Sequence, residues 1–480
     1  MSSAELTTKV IVALVISVLL FVAEGINYSQ LAPFFPNEAE LYKGLSEFLV
    51  GAITSCFDFS TLIFSAFLPL FAKPELNKFF FIWGTTMGAV ANICFGILGN
   101  GPGGWWFASM CFFSRIVMGI GAGMLWSVGV PLLTSMAPSY AGRITSLIES
   151  GVGVGIAIGP PIGSGVYSLG GYMYPFLVAG IIEMLFVLVA MVTIPSANSV
   201  SNSRAASVAA DSGINSDDST MVDISESDQN SDVNLLTAKD PPLQNNTLPD
   251  NTSEALAAFL AYPGVWLVSM FFILGSVPFG LYDVSLSPYL LQTFGVDGDT
   301  AGLYFLAMGA LYAICTQFVG LLVDKGYAVH VFFWSCIFEV VISFLFSAPY
   351  VWPMLETKFF IGTILALDGV ALSGTFVPVY LILEHIVLAN GYMHSEQSLK
   401  LVIGIWINFT MAAGRIMGSV VFGGVIYPKL GFYLTSVLTS ILFLISTLLS
   451  NGYLVYSKNY RKVFYTQSTL HLTDEITNSI

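Results

Sequence analysis

Glu24, Asp58, Glu149, Asp283 and Asp368 are carboxylic acids set inside long apolar stretches, and Arg115 and Arg415 are arginines in the same setting. A charge at the centre of a bilayer costs roughly 2.5–3.5 kcal/mol on insertion scales, so such residues face a cavity or a partner. Glu24 stands two-thirds along the first stretch and Asp283 mid-way along the seventh. Brought to one cavity from opposite sides, their carboxylates would bind a protonated amine once partly desolvated, and a proton would compete for the same oxygens. Asp368, deep in the tenth stretch, is a further proton-site candidate, while Glu384 lies close to an end. Asp58 either lines the cavity or pairs across it, and Glu149 either pairs with a cation or acts in a gate. Arg115 is a fixed charge that tunes a nearby acid or ties it into an ion pair. Arg415 is expected to neutralise one of the surplus acids. Glu183 and Glu339 sit mid-way along the sixth and ninth stretches, protonated and turned inward or placed against each other, and are not counted as ligands. Tyr28, Trp126, Tyr282 and Trp406 are candidate cavity aromatics, each worth roughly 0.5–2 kcal/mol to a bound cation; packing is the competing role.

The elements that must hold these residues are helices in lipid. Hydrophobic residues make up 55% of the 480-residue chain and charged ones 10%, too little charge to cover a water-soluble surface. Apolar runs of about 20 residues recur along the whole length, each able to cross a bilayer of roughly 30 Å. Only helices satisfy their own backbone groups segment by segment there, so the fold class is all-α integral membrane. Twelve transmembrane spans are read, six on each side of a polar insert: 10–33, 46–70, 79–99, 105–134, 143–168, 173–194, then 263–292, 300–323, 329–349, 357–386, 399–426 and 431–457. The fifth contains Gly151, Gly155, Gly159 and Gly163 at a spacing of four, with Pro160 and Pro161 between glycines. That spacing makes a side-chain-free stripe for close helix packing, and the prolines remove backbone donors and bend the helix.

Lysine and arginine set the orientation. With both termini in the cytoplasm, that side carries eleven of them and the other side only Lys43, Lys358 and Lys429. The domains are then an N-terminal six-helix bundle (1–195), an acidic cytoplasmic loop (196–256), a C-terminal six-helix bundle (257–458) and a cytoplasmic tail (459–480). The loop holds ten acids against Arg204 and Lys239, a net charge of 2 − 10 = −8, and is too polar to order itself. Its sequons at Asn245 and Asn251 would stay unglycosylated. Asp232-Val-Asn-Leu-Leu and Tyr460-Arg-Lys-Val463 are candidate sorting signals, with trafficking adaptors as the partners they would take. The five cysteines fall in apolar runs, and the four histidines lie at span ends or in tails, so neither type gives a metal site. No soluble-enzyme motif, cofactor motif or nucleic-acid patch is present, and the glycine runs follow no strand.

The halves repeat weakly. Phe112-Phe113 and Pro131 recur as Phe359-Phe360 and Pro378 at one offset, and Gly165-Val-Tyr with Gly171-Tyr172 recurs as Gly424-Val-Ile-Tyr with Gly431-Phe432. Parallel six-helix repeats imply two bundles facing each other across a central cavity.

The glycine–proline stretch resembles the antiporter motif of the major facilitator superfamily. Further stretches are Ala32-Pro-Phe-Phe-Pro-Asn-Glu-Ala-Glu, Ser114-Arg-Ile-Val-Met-Gly-Ile-Gly-Ala-Gly, Pro175-Phe176, Phe279-Gly-Leu-Tyr-Asp-Val-Ser-Leu and Gly320-Leu-Leu-Val-Asp-Lys-Gly326. Together these resemble the vesicular amine transporter family. The vesicular polyamine branch is the nearer match, on the first of them and on a first loop of only about a dozen residues. The resemblance implies a proton-coupled antiporter, driven by a proton gradient, that loads polyamines or monoamines into secretory or synaptic-like vesicles by alternating access. It implies that Glu24, by its spacing to Pro33, and Asp283 are the amine-binding acids. It places Arg115 in an Arg-x-x-x-Gly pattern, and has Asp324 and Lys325 hold the closed cytoplasmic face by pairing with helix ends. Two features depart from the family. The loop Pro69–Lys78 lacks the Gly…Asp of the superfamily's latch motif, and Arg415 stands where a motif glycine is expected. Proton stoichiometry and substrate charge therefore stay open, as do a plasma-membrane drug or metabolite exporter of this fold and a transport-dead sensor or scaffold.

Overall fold

The computed structural model describes residues 8–31, 34–35, 38–137, 140–195, 252–296, 298–390 and 395–456. The first half consists of α1 (Thr8–Ser29), α2 (Glu47–Phe67), α3 (Asn77–Ile97), α4 (Trp105–Met136), α5 (Ala141–Gly170) and α6 (Met173–Thr193). A short α7 (Thr252–Leu260) precedes the second half, which consists of α8 (Pro263–Phe294), α9 (Gly298–Leu322), α10 (Ala328–Val351), α11 (Lys358–Ala389), α12 (Glu396–Ile416) and α13 (Tyr427–Tyr456). A π-helical stretch, Met417–Ile426, joins the last two. The described residues contain no strand.

Ten apolar segments long enough to cross a membrane lie among the described residues, and two of them, Gly302–Val351 and Gln397–Tyr453, run to 50 and 57 residues. As single helices these would measure about 75–85 Å, more than twice the hydrocarbon thickness. Each is broken by a glycine in the left-handed region, Gly326 (φ 85°) and Gly431 (φ 74°), and so folds back on itself. The internal repeat is visible in the backbone. Gly171 (φ 80°, ψ −168°) and Gly431 (φ 74°, ψ 176°), matched in the sequence, turn the chain in the same conformation at the same place in each half.

The glycine stripe of α5 packs on α1. Gly151 lies against Val18, Gly155 against Val22 and Gly25, Gly159 against Ser29 and Gly163 against Gln30. Gly25 returns the contact: a methyl there would stand 2.7 Å from the Val152 carbonyl oxygen. α5 continues as one helix through Pro160 and Pro161. Within each half, aromatic side chains fill the interior, Phe81, Phe107 and Phe176 in the first and Phe271, Phe332 and Phe443 in the second. The outer faces are apolar as well, with Ile63, Phe113, Leu185, Phe318, Trp334 and Leu448 exposed. An apolar exterior over a packed interior suits a hydrocarbon surround. The halves meet where α5 packs on α9 and where α2 and α4 pack on α12.

One boundary is corrected. Residues 252–256, expected to belong to a disordered loop, are helical in α7, with Thr252 donating its hydroxyl to the Ala72 carbonyl and Ala255 and Phe259 buried. The reason is local: Ala255 and Phe259 are one turn apart and give α7 an apolar face. The rest of the insert, its two sequon asparagines, both candidate sorting signals and the tail lie outside the described residues.

Candidate functional site

A cavity of about 60 Å³ lies between the halves. Tyr28 of α1, Trp126 of α4 and Glu149 of α5 line it from one side. Tyr282 and Asp283 of α8, Tyr312 of α9, Phe376 of α11 and Arg415 of α12 line it from the other. Two carboxylates face this space, and each is capped by a tyrosine of the opposite half. Tyr28 donates its hydroxyl to Asp283 Oδ2 at 2.7 Å, and Tyr312 donates to Glu149 Oε2 at 2.6 Å. Asp283 reaches the seam because Gly280, one turn earlier on α8, lets that helix touch the α12 backbone at Arg415.

Arg415 bridges the halves. Its Nη2 stands 2.9 Å from Asp58 Oδ1 on α2, and its guanidinium lies 5.2 Å from the centroid of the Tyr28 ring. Sequence left two roles open for Asp58 and a generic one for Arg415; they are each other's partner. Arg115 makes no such bridge. It is buried on α4, its Nη2 donates to the Thr54 carbonyl at 3.3 Å and its guanidinium lies 4.9 Å from the Phe57 ring centroid, while Nε and Nη1 have no hydrogen-bond partner.

Glu24, expected at the cavity, stands behind its wall instead, as do Asp58, which takes the paired one of its two readings, and the proton-site candidate Asp368. Glu24 turns its carboxyl into the first half, toward Gly88 of α3, where the lack of a side chain leaves room for it and for Glu183 of α6. Tyr28, one turn along α1, occupies the wall in its place. Asp368 is fully buried in the second half and faces the Tyr282 hydroxyl and the Glu339 carboxyl. Trp406 is also not a wall residue; its indole donates to Ser269 Oγ at 2.6 Å and its ring stacks on Phe409.

Glu183 and Glu339 are therefore interior groups of separate halves and not partners of one another. Glu183 Oε2 accepts from Asn27 Nδ2 at 2.6 Å; Asn27 accepts from Asn92 at 2.9 Å, and Asn92 from Gln30 at 3.2 Å. This amide chain was readable as polar residues at unlikely depths in the first and third spans. Asn408 of α12 was also missed as a seam residue: its Nδ2 donates to Ser65 Oγ at 2.7 Å and to Ser127 Oγ at 3.2 Å, both in the first half.

On one face the halves are sealed. Asp324, in the turn after α9, accepts from the Arg143 backbone N–H at 3.3 Å and faces Arg143 Nε at 3.1 Å, at the first turn of α5. The seam continues inward through Gln317 to the Ser146 carbonyl and Ser150 to the Ala313 carbonyl. Lys325 is exposed beside this contact. No group of three or more metal-ligating side chains occurs among the described residues.

This arrangement, two repeated six-helix halves around a central cavity of mostly apolar and aromatic side chains that holds two carboxylates, is accompanied by a match of residues 14–395 to the Major Facilitator Superfamily. The chain belongs to the major facilitator superfamily. It is similar to the human MFS-type transporter SLC18B1, with 26% identity over 458 residues, covering 94% of this chain and 88% of the relative. The mouse and rat proteins of that name are likewise 26% identical over 437 residues, covering 90% of this chain and 83% and 84% of theirs. As a member of this superfamily the chain is a multi-pass membrane transporter, not an enzyme, and its central cavity is where a small substrate would be held.

Proposed function

We propose that this transporter is a proton-coupled antiporter of small organic cations, polyamines or monoamines, that loads vesicles by alternating access. The observation that carries the reading is the pair of tyrosine-capped carboxylates, Asp283 and Glu149, in an aromatic-walled cavity between the halves. An ammonium group offers each carboxylate stronger, charge-assisted hydrogen bonds than a phenol does. It would displace Tyr28 or Tyr312 and rest against the aromatic rings. The one guanidinium in the wall, Arg415, is paired with Asp58, so the cavity keeps negative character. A proton competes with the ammonium for the same oxygens, which is the physical basis of exchange.

The tyrosine caps also couple binding to movement. Each is a contact between halves, so a cation that takes the carboxylate releases a link across the seam. With the lysine- and arginine-rich face in the cytoplasm, the Arg143–Asp324 contact would close that side. Vesicular residence follows from the similarity to the vesicular amine family and has no structural counterpart in the cavity itself.

The test is uptake of labelled spermidine, serotonin and acetylcholine into proteoliposomes with an imposed pH gradient, acid inside. At least one cation accumulates in a gradient-dependent way, and Asp283→Asn lowers the rate by about 10- to 100-fold, the loss of a charged hydrogen-bond partner. Folded wild type that accumulates none of the three, or Asp283→Asn that matches it, overturns the reading.

A further inference from the structure

Glu339 of α10 and Asp368 of α11 meet in the interior of the second half, both fully buried. None of their four carboxyl oxygens has a hydrogen-bond partner when both groups are taken as acceptors. Among the described residues, the titratable groups beside the pair are Tyr282 from α8 and Cys336 from α10, with no lysine, arginine or histidine among them. Two adjacent ionised carboxylates with no counter-charge are not sustainable in such a site, since each needs several kcal/mol of compensation that nothing nearby supplies. A proton between them removes one charge and turns two orphaned acceptors into a donor and its acceptor.

We propose that Glu339 is the second carboxyl of a proton-sharing pair with Asp368, and that Tyr282 connects this pair to the central cavity. Tyr282 is suited to the link because it lines the cavity and also neighbours Asp368. It is also the residue next to Asp283, so one turn of α8 carries both the cation ligand and the contact to the proton pair. In the lumen-facing state a hydronium from the acidic lumen gives a proton to the Tyr282 oxygen, leaving water, as the Tyr282 hydroxyl passes its own to Asp368. In the cytoplasm-facing state the same steps run backwards. One proton enters from the lumen and one leaves to the cytoplasm, and nothing is oxidised or reduced. The role of Glu339 is positioning: it holds the shared proton against Asp368 and touches no substrate.

This inference rests on the antiport reading, so the experiment separates the two. Full-length protein in proteoliposomes is assayed for exchange of labelled for unlabelled spermidine without a gradient, and for gradient-driven spermidine accumulation over a series of external pH values. Glu339→Gln is expected to keep exchange within about twofold of wild type, while gradient-driven accumulation falls about tenfold and its pH profile moves by about one unit. Glu339→Asp keeps a carboxyl one methylene short, and is expected to accumulate spermidine with a displaced profile; it carries the test if Glu339→Gln does not fold. A wild-type profile in the variant that folds overturns the pair. Wild type that exchanges but accumulates nothing overturns the antiport reading, and the pair with it.

Discussion

Apart from Asp58, which holds Arg415, and Glu384 near a span end, each half buries two neighbouring carboxylic acids behind the cavity wall, in different company. In the first half Glu183 ends a chain of amides, Asn27, Asn92 and Gln30, and its neighbour Glu24 feels the charges of Arg115 and Arg415. In the second half Asp368 and Glu339 have each other and a tyrosine hydroxyl. Amide donors and guanidinium groups can stabilise a carboxylate as an anion, whereas two bare acids among apolar side chains need a proton to coexist. One fold, repeated twice, has thus set one pair of acids among amides beside the Asp58–Arg415 bridge and the other among apolar side chains beside a tyrosine. The two pairs also stand on different helices of the repeat, α1 and α6 in the first half and α10 and α11, the third and fourth, in the second.

The largest effect expected from breaking this contrast is at the bridge. Arg415→Ala leaves Asp58 buried without its partner, which costs about 3–5 kcal/mol and should appear as a large loss of thermal stability in detergent. The double variant Arg415→Gln with Asp58→Asn removes both charges and should recover most of the loss. Equal melting of the single and double variants would show that the pair does not hold the halves together. A smaller effect is expected at the amide chain. Asn27→Ala strips a buried donor from Glu183 and costs about 1–3 kcal/mol, while Glu339→Gln, which keeps a donor to Asp368 in place of the shared proton, should change stability by less than about 1 kcal/mol. If thermal melts rank these two the other way round, the second-half pair is ionised and the contrast fails.

Much of the scaffold was legible beforehand because it depends on periodicity. The four-residue spacing of Gly151 to Gly163 can serve only a close helix contact, and α1 is that contact. Gly171 and Gly431 could be matched because both turns need the left-handed region, where side chains are strained. The site was less legible, since a residue's depth in a span says nothing of its direction. Glu24 and Tyr28 are four residues apart on α1 and nearly share a face, yet Tyr28 takes the wall and Glu24 the interior. Asp58 and Arg415 were each recognisable as costly charges, but their pairing depends on the rotation of α2 against α12, which no spacing encodes. Glu183 and Glu339 were read as either turned inward or placed against each other, and they are turned inward in separate halves. Position within the bundle did not decide which way their side chains point.

The smallest effect concerns the loops that correspond between the halves, after the second span and after the eighth. At the end of the first, Lys78 in the opening turn of α3 donates to the Met191 carbonyl and to the Ile194 carbonyl, which ties that end of the loop to its own half at the end of α6. In the second, Asp324 reaches Arg143 and the start of α5 in the other half. A carboxylate at a helix N-terminus is favoured by the free N–H groups and the helix dipole, and here that helix belongs to the opposing bundle. The neighbouring Lys325 is exposed and outside the contact. Lys325→Ala should therefore change thermal stability by less than about 0.5 kcal/mol and leave the uptake rate unaltered. Asp324→Ala should lower the melting temperature and change uptake, because the sealed face loses its bond to α5. Equal effects from the two substitutions would mean that the loop works through its overall charge. The absence of a Gly…Asp pair in the first-half loop would then have no mechanical consequence. If only Asp324→Ala acts, the asymmetry is functional: one loop braces its own bundle, and the other opens and closes the passage between the two.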